Sequence, residues 1–188
     1  LLSQHPHVMS ELHEELSASI DGVPRPDQLD QLPVLDRVLK ESMRVLPASS
    51  YSQRIAAEHV KLGPFDLRPG AIVIFSQFMT HHSPELYAQP ESFLPDRWKT
   101  IAPSPYAYLP FGAGPRMCIG AALGMMQFKI SVPTILRRFK LTVQPGAEIN
   151  GRVMSTMLFP TSPLPMRIEA QDGRFVSHPI GGNIHTLV

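Results

Sequence analysis

Seven prolines, at positions 84, 90, 95, 103, 105, 110 and 115, crowd residues 84–115. Each fixes its own φ and withdraws a backbone donor, so neither a regular helix nor a central strand crosses the segment. An irregular stretch of this length is uncommon in a compact domain. What lies on either side of it therefore carries the interpretation. The whole chain holds 20 prolines in 188 residues, about twice the usual ~5% share. Apolar residues at 43% still mark it as globular rather than disordered.

On the C-terminal side, residues 111–120 read FGAGPRMCIG and contain Cys118, the only cysteine. A single cysteine excludes an intramolecular disulfide. Glycines at 112 and 114 allow positive φ or close passage of the backbone past a flat ligand. The amides after Cys118 open an apolar helix, whose N-terminus offers unpaired donors and partial positive charge to an anion. A thiolate needs that kind of environment to stay deprotonated. Two plainer readings stand beside this one. A lone cysteine is most often a small buried hydrophobe, and a glycine-rich loop before a helix also cradles phosphate.

The full string F-x-x-G-x-R-x-C-x-G is more specific than either. It resembles the haem-loop signature of the cytochrome P450 family at every fixed position. The resemblance implies that Cys118 is the axial ligand of the iron in haem b. Phe111 then packs near the macrocycle, Gly112 and Gly120 let the loop approach it, and Arg116 pairs with a propionate.

On the N-terminal side, Val8, Leu12, Leu16 and Ile20 recur every four residues and predict an amphipathic helix over residues 6–20. His5 and His7 beside its start are read as solvated rather than metal ligands. Asp21-Gly22 and the prolines at 24 and 26 predict a loop. A second helix is predicted over residues 33–46, opened by Pro33, stopped by Pro47 and lined by Leu35, Leu39, Met43 and Leu46. Glu41 and Arg44 are neighbours on its surface. The plain reading is an exposed ion pair worth under ~1 kcal/mol. The Glu-x-x-Arg in PVLDRVLKESMRVLP, however, resembles the second signature of the same family. Residues 93–98, FLPDRW, resemble its P-x-R-[FW] element. The resemblance then joins Arg97 to Glu41 and Arg44 in a buried structural triad. It also gives residues 84–115 an ordered meander.

Residues 51–55, 59–62 and 71–75 predict short strands, punctuated by Gly63-Pro64 and Pro69-Gly70. By resemblance Arg54 reaches a haem propionate; otherwise it is a solvated strand residue. Residues 48–51 then face the substrate side. Residues 76–82 predict a short helix, and the match of His81 to Pro84 with H-x-x-P favours packing over metal binding, since no third ligand is near. After Cys118 a helix is expected over about residues 119–138. Ile119, Leu123, Met126 and Ile130 form its apolar stripe, with a kink or restart at Pro133. Lys129, Arg137 and Arg138 are read as a solvated face, or else as a surface for an acidic redox partner. Residues 139–143 predict a strand. Residues 153–159 and 164–169 predict a closing hairpin turned at 160–163, with residues 155–159 near the substrate by analogy. Residues 170–188 read as a tail of unassigned role.

The resulting expectation is an α+β, mainly α, cytochrome P450-like fold. Lys plus Arg at 17 against Asp plus Glu at 16 gives no argument for nucleic acid. The resemblance implies a monooxygenase that takes electrons from a ferredoxin or flavin reductase and acts on a small organic substrate. No catalytic residue beyond the haem ligand is identified. The family's catalytic domain is much longer than this chain, and its long distal helix has no counterpart here. Residues 1–188 are therefore expected to be the C-terminal portion of one domain, inactive alone. The alternatives are a non-enzymatic haem-binding remnant and a peroxide-using enzyme of the same type. No apolar run is long enough to span a membrane. The location is expected to be cytoplasmic for a bacterial protein, or membrane-anchored if a span precedes Leu1.

Overall fold

Prolines open the helices in the computed structural model, which describes residues 1–188. Pro6 begins α1 (Pro6–Ser19), Pro26 begins the one-turn α2 (Pro26–Leu29), and Pro33 begins α3 (Pro33–Val45). The missing N–H is harmless in a first turn, where the donor has no helical partner. α2 lies in the stretch that the sequence assigns to a loop.

Helices α1 and α3 pack together and supply most of the core. Val8, Leu12 and Leu16 meet Leu35, Val38 and Val45, all buried. Glu15, off the apolar stripe of α1, caps the start of α3. Its two carboxylate oxygens accept from the Val34 and Leu35 amides at 2.7 and 2.9 Å. A negative charge there satisfies orphan donors and opposes the helix dipole.

Four two-stranded antiparallel sheets complete the structure. β1 (Ser52–Ile55) pairs with β4 (Ile72–Phe75), setting Arg54 opposite Val73. Between them β2 (Val60–Leu62) and β3 (Phe65–Leu67) form a hairpin; β3 is not foreseen in the sequence. α4 (Gln77–His81) follows β4, its first turn capped by Ser76 Oγ accepting from the Met79 amide.

α5 (Ala121–Leu136) runs uninterrupted through Pro133 and ends at Leu136, with no restart. The expected stripe is also corrected. Ile119, Leu123 and Met126 are exposed, while Met125, Ile130, Val132 and Leu136 pack on the core. The helix is apolar on all sides, so its sequence pattern does not single out the buried face.

The closing hairpin is corrected as well. Residues 153–159 do not make one strand; they span the turn between β6 (Gly151–Met154) and β7 (Met157–Pro160). The turn sits at Ser155, where φ is 55°. β8 (Met166–Ala170) pairs instead with β5 (Phe139–Val143), setting Leu141 opposite Ile168. Both strand segments look alike by alternation, and only the left-handed turn at Ser155 separates the two pairings. Residues 170–188 are no loose tail. They fold back, bridging Gly181 to Glu148 and closing in a short turn over Asn183–Thr186.

Candidate functional site

The proline-rich segment lacks seven backbone donors, so some of its carbonyls take partners from elsewhere. Two guanidinium groups meet that deficit. Arg44 Nη1 donates to the carbonyls of His81 and Pro90, each at 2.8 Å, and Nη2 donates to Ser92 O at 3.0 Å. Arg97 donates to Ala88 O, to Gln89 O at 3.0 Å and to Ser92 O at 3.2 Å.

Both arginines converge on Glu41. Arg44 Nε and Nη2 donate to its two oxygens at 3.0 Å each, and Arg97 Nε donates to Oε1 at 2.9 Å. The Leu94 amide adds a bond to Oε1 at 2.9 Å, and Trp98 Nε1 donates to Oε2 at 2.8 Å. Burial pushes the Glu41 carboxyl up. The hydrogen bonds of Arg44 and Leu94, with the charges of Arg44 and Arg97, outweigh it and hold the group below its ordinary value. Trp98 and Leu94 are members of this cluster that sequence reasoning missed; the Trp of FLPDRW was the available signal.

His81 extends the cluster toward the cysteine loop. It is fully buried. Its Nδ1 donates to Arg44 O at 3.2 Å, and its Nε2 accepts from the Leu109 amide at 2.7 Å. A carbonyl only accepts and an amide only donates, so the ring is the neutral Nδ1–H tautomer. Burial first, then the Arg44 charge, lowers its pKa to about 4. Leu109 O in turn accepts from Gly112 N at 3.1 Å, and Phe111 O accepts from Cys118 N at 2.9 Å. A line of hydrogen bonds and adjoining residues thus runs from Glu41 to the cysteine.

Within the loop, Gly112 and Gly114 adopt φ of 74° and 70°. A side chain is strained there. Gly120 caps α5, and a Cβ on it would lie 3.8 Å from Cys118 Sγ. A Cβ on Gly124, one helical turn on, would touch the Phe111 ring at 3.6 Å. Cys118 is exposed, and so are Met117, Ile119 and Leu123 around it. Phe111 also lines an apolar cleft of about 1080 Å³ shared with Leu46, Phe128, Leu141, Ile149 and Ile184.

Phe111, Gly112, Arg116, Cys118 and Gly120 therefore lie on one loop. Arg116 is exposed. Arg54 stands apart on β1, exposed, and donates to its neighbour Gln53 O at 2.8 Å. Of the three cations on and just past α5, Arg138 is exposed and has no ion-pair partner. Lys129 lies 3.6 and 3.7 Å from Asp30 and Asp36, and Arg137 donates to Gly22 O. No cluster of three or more His, Cys, Asp or Glu residues is placed to hold a bare metal ion. No helix is long and apolar enough to cross a membrane.

Residues 1–169 match the family described as Cytochrome P450. Cytochrome P450 3A31 of Mesocricetus auratus is 31% identical over 178 residues, covering 92% of this chain and 36% of that protein. Cytochrome P450 3A29 of Sus scrofa is 32% identical over 180 residues, covering 92% and 35%. The mitochondrial 25-hydroxyvitamin D-1 alpha hydroxylase of Mus musculus is 33% identical over 164 residues, covering 85% and 32%. The chain thus spans about a third of the length of these curated relatives. A family match over nine-tenths of the residues, on a fold that presents the cysteine loop and ties it to the Glu41 cluster, places the chain plainly: it belongs to the cytochrome P450 family.

Proposed function

We propose that these residues form the thiolate-bearing part of a haem-dependent monooxygenase, with Cys118 as the axial ligand of haem b. The observation that carries this is the exposed thiol at the mouth of α5, ringed by exposed apolar side chains and fixed by the Cys118–Phe111 backbone bond. A flat, largely apolar group with a soft-ligand metal at its centre and two carboxylates at its edge suits that surface. Arg116 and Arg54 have no carboxylate partner of their own and would hold the propionates. Phe111, Gly112 and Gly120 would border the ring.

When bound, the haem supplies activation of O₂: with two electrons and two protons, one oxygen atom enters an organic substrate and the other leaves as water. The chain's own residues hold, orient and insulate. The Glu41–Arg44–Arg97 cluster fixes the meander and, through His81 and Leu109, the loop. Residues 48–51 and 155–159 would face the substrate, which we assign only to the class of small organic molecules. The electron donor would be a ferredoxin or a flavin reductase. With their apolar face left in water, the 188 residues alone would not turn over substrate.

The ferrous–CO spectrum of the complete haem-loaded polypeptide tests the ligand. The red-shifted thiolate band is expected in the parent and lost in Cys118→Ser and Cys118→His. Survival of the band in either variant overturns the assignment.

A further inference from the structure

We propose that residues 176–188 form a strap that sets the position of the β6–β7 hairpin, and that Gly182 and Asn183 are its positioning residues. The proposal rests on the reading above, in which the tip of that hairpin faces substrate.

The strap lies outside the residues that match the family, which end at 169. It is nevertheless closely built. Pro179 O accepts from Gly146 N at 2.9 Å, and Gly181 O from Ile149 N at 3.0 Å. Gly181 N donates to Ala147 O at 2.9 Å, and Ile184 N to Ile149 O at 3.1 Å. Two asparagines then interlock at the hairpin base. Asn183 N donates to Asn150 Oδ1 at 2.8 Å, Gly151 N donates to Asn183 Oδ1 at 2.8 Å, and Asn183 Nδ2 donates to Gly151 O at 2.9 Å. Gly151 is the first residue of β6.

Contact with backbone requires glycine at 182, whereas at 181 the neighbour is the end of a flexible side chain. A Cβ on Gly181 would overlap the Glu148 carboxylate, and one on Gly182 would overlap the Ile149 carbonyl. Gly182 also has φ of 96°, which side chains rarely adopt. Leu187 closes the base, its methyl 3.1 Å from where a Cβ on Gly151 would sit.

At its other end the hairpin is tied to the segment before β1. Ser50 N donates to Thr156 O at 2.9 Å and Leu158 N to Ala48 O at 2.8 Å. A short two-stranded unit is marginal without outside support. Here its hydrogen bonds to the rest of the chain fall in two groups, the strap at the base and residues 48–50 at the tip. Loosening the base moves the tip.

The test uses the complete haem-loaded polypeptide with Gly182→Ala, Asn183→Ala and Asn183→Asp. Amide hydrogen exchange is read at Ser50 and Leu158, and binding is read spectrally with imidazole and 4-phenylimidazole. Imidazole probes the haem alone; the phenyl group also probes the pocket wall. In Gly182→Ala and Asn183→Ala, exchange at both amides rises about tenfold, as loss of one or two hydrogen bonds predicts. 4-Phenylimidazole weakens while imidazole does not, and amides in α1 and α3 keep their protection. Asn183→Asp keeps an acceptor for Gly151 N but sets a carboxylate oxygen against Gly151 O in place of the Nδ2 donor, so it loosens the base as Asn183→Ala does. Unchanged exchange at Ser50 and Leu158, or equal loss of protection throughout the chain, overturns the proposal. Exposed Asn183 keeps the test decisive should Gly182→Ala fail to fold. A parent lacking the thiolate CO band would sink the haem reading instead, leaving the exchange data to judge the strap.

Discussion

Arg44 and His81 each bind the other's main chain. The guanidinium donates through Nη1 to the His81 carbonyl at 2.8 Å, and the imidazole donates through Nδ1 to the Arg44 carbonyl at 3.2 Å. The pairing joins the C-terminal turn of α3 to the end of α4. It also fixes which ring nitrogen of His81 is left to accept from Leu109.

That tautomer makes stability depend on pH in a defined window. The neutral ring is favoured in the folded state, with a pKa of about 4 against an unfolded value near 6.5. The unfolded chain therefore takes up a proton first as pH falls. Stability contributed by His81 is complete above pH ~6.5 and declines toward pH ~4, by on the order of 3 kcal/mol in all. Arg44 and His82 are the charged or titratable groups that act on the ring's charge, and the Tyr108 ring stacks on it. Urea midpoints between pH 7 and pH 5 should fall for the parent. His81→Gln, which cannot charge, should flatten the curve above pH 5. An equally steep curve in the variant would refute the assignment.

Glu41 answers five donors from four residues, and its loss leaves two arginines facing each other without a counter-charge. Glu41→Ala should cost about 3–5 kcal/mol, the range for a buried pair stripped of one partner. Because the Glu41 carboxyl sits below its ordinary value, its share of stability is present above pH ~4.5 and is lost only below that. Its window thus lies below that of His81. Replacing Glu41 with Met and Arg44 and Arg97 with Leu should not recover the loss, since the carbonyls of His81, Pro90, Ser92, Ala88 and Gln89 and the Leu94 and Trp98 donors are then left without these partners. Chemical denaturation of the three proteins checks the order.

How much of this was legible in the sequence follows from how local each feature is. Helices α1 and α3 were readable because their apolar period and opening prolines lie within one stretch. The triad was readable only through a resemblance, since Glu41 and Arg97 are joined by a long loop that no periodicity crosses. The buried face of α5 was hidden because apolar residues surround the helix. The β5–β8 pairing was hidden because it bypasses the nearer strands, and Ser155 gives no turn signal as glycine would. The folded-back strap was missed for a related reason. Its Gly181-Gly182 pair gives no periodic signal, whereas Gly182 is there to let two backbones approach.

Three glycines near the loop should respond differently to the same small change. Gly112→Ala and Gly114→Ala place a Cβ at positive φ and should each cost about 1–2 kcal/mol. Gly124→Ala meets the Phe111 ring at ordinary contact distance, 3.6 Å, and gains helix propensity of up to ~1 kcal/mol. It should be neutral or stabilising, whereas Gly124→Leu must displace the Phe111 ring. Thermal unfolding ranks the four variants. A Gly124→Ala protein less stable than Gly112→Ala would contradict this geometry.

The cap that Glu15 places on α3 gives a last discrimination, between charge and hydrogen bonding. The carboxylate is half-buried and accepts from two adjacent amides, Val34 and Leu35, across the gap between two helices. Glu15→Gln keeps one acceptor and loses the charge that opposes the dipole, so about 0.5–1 kcal/mol should go. Glu15→Ala removes both acceptors and should cost about 1–2 kcal/mol, comparable to loss of a native N-cap. Because one part of the effect is electrostatic, the gap between parent and Glu15→Gln should narrow in 1 M salt. The gap between Glu15→Gln and Glu15→Ala should stay. Equal losses for the two variants would mean that charge alone holds the start of α3, the helix that carries Glu41 and Arg44.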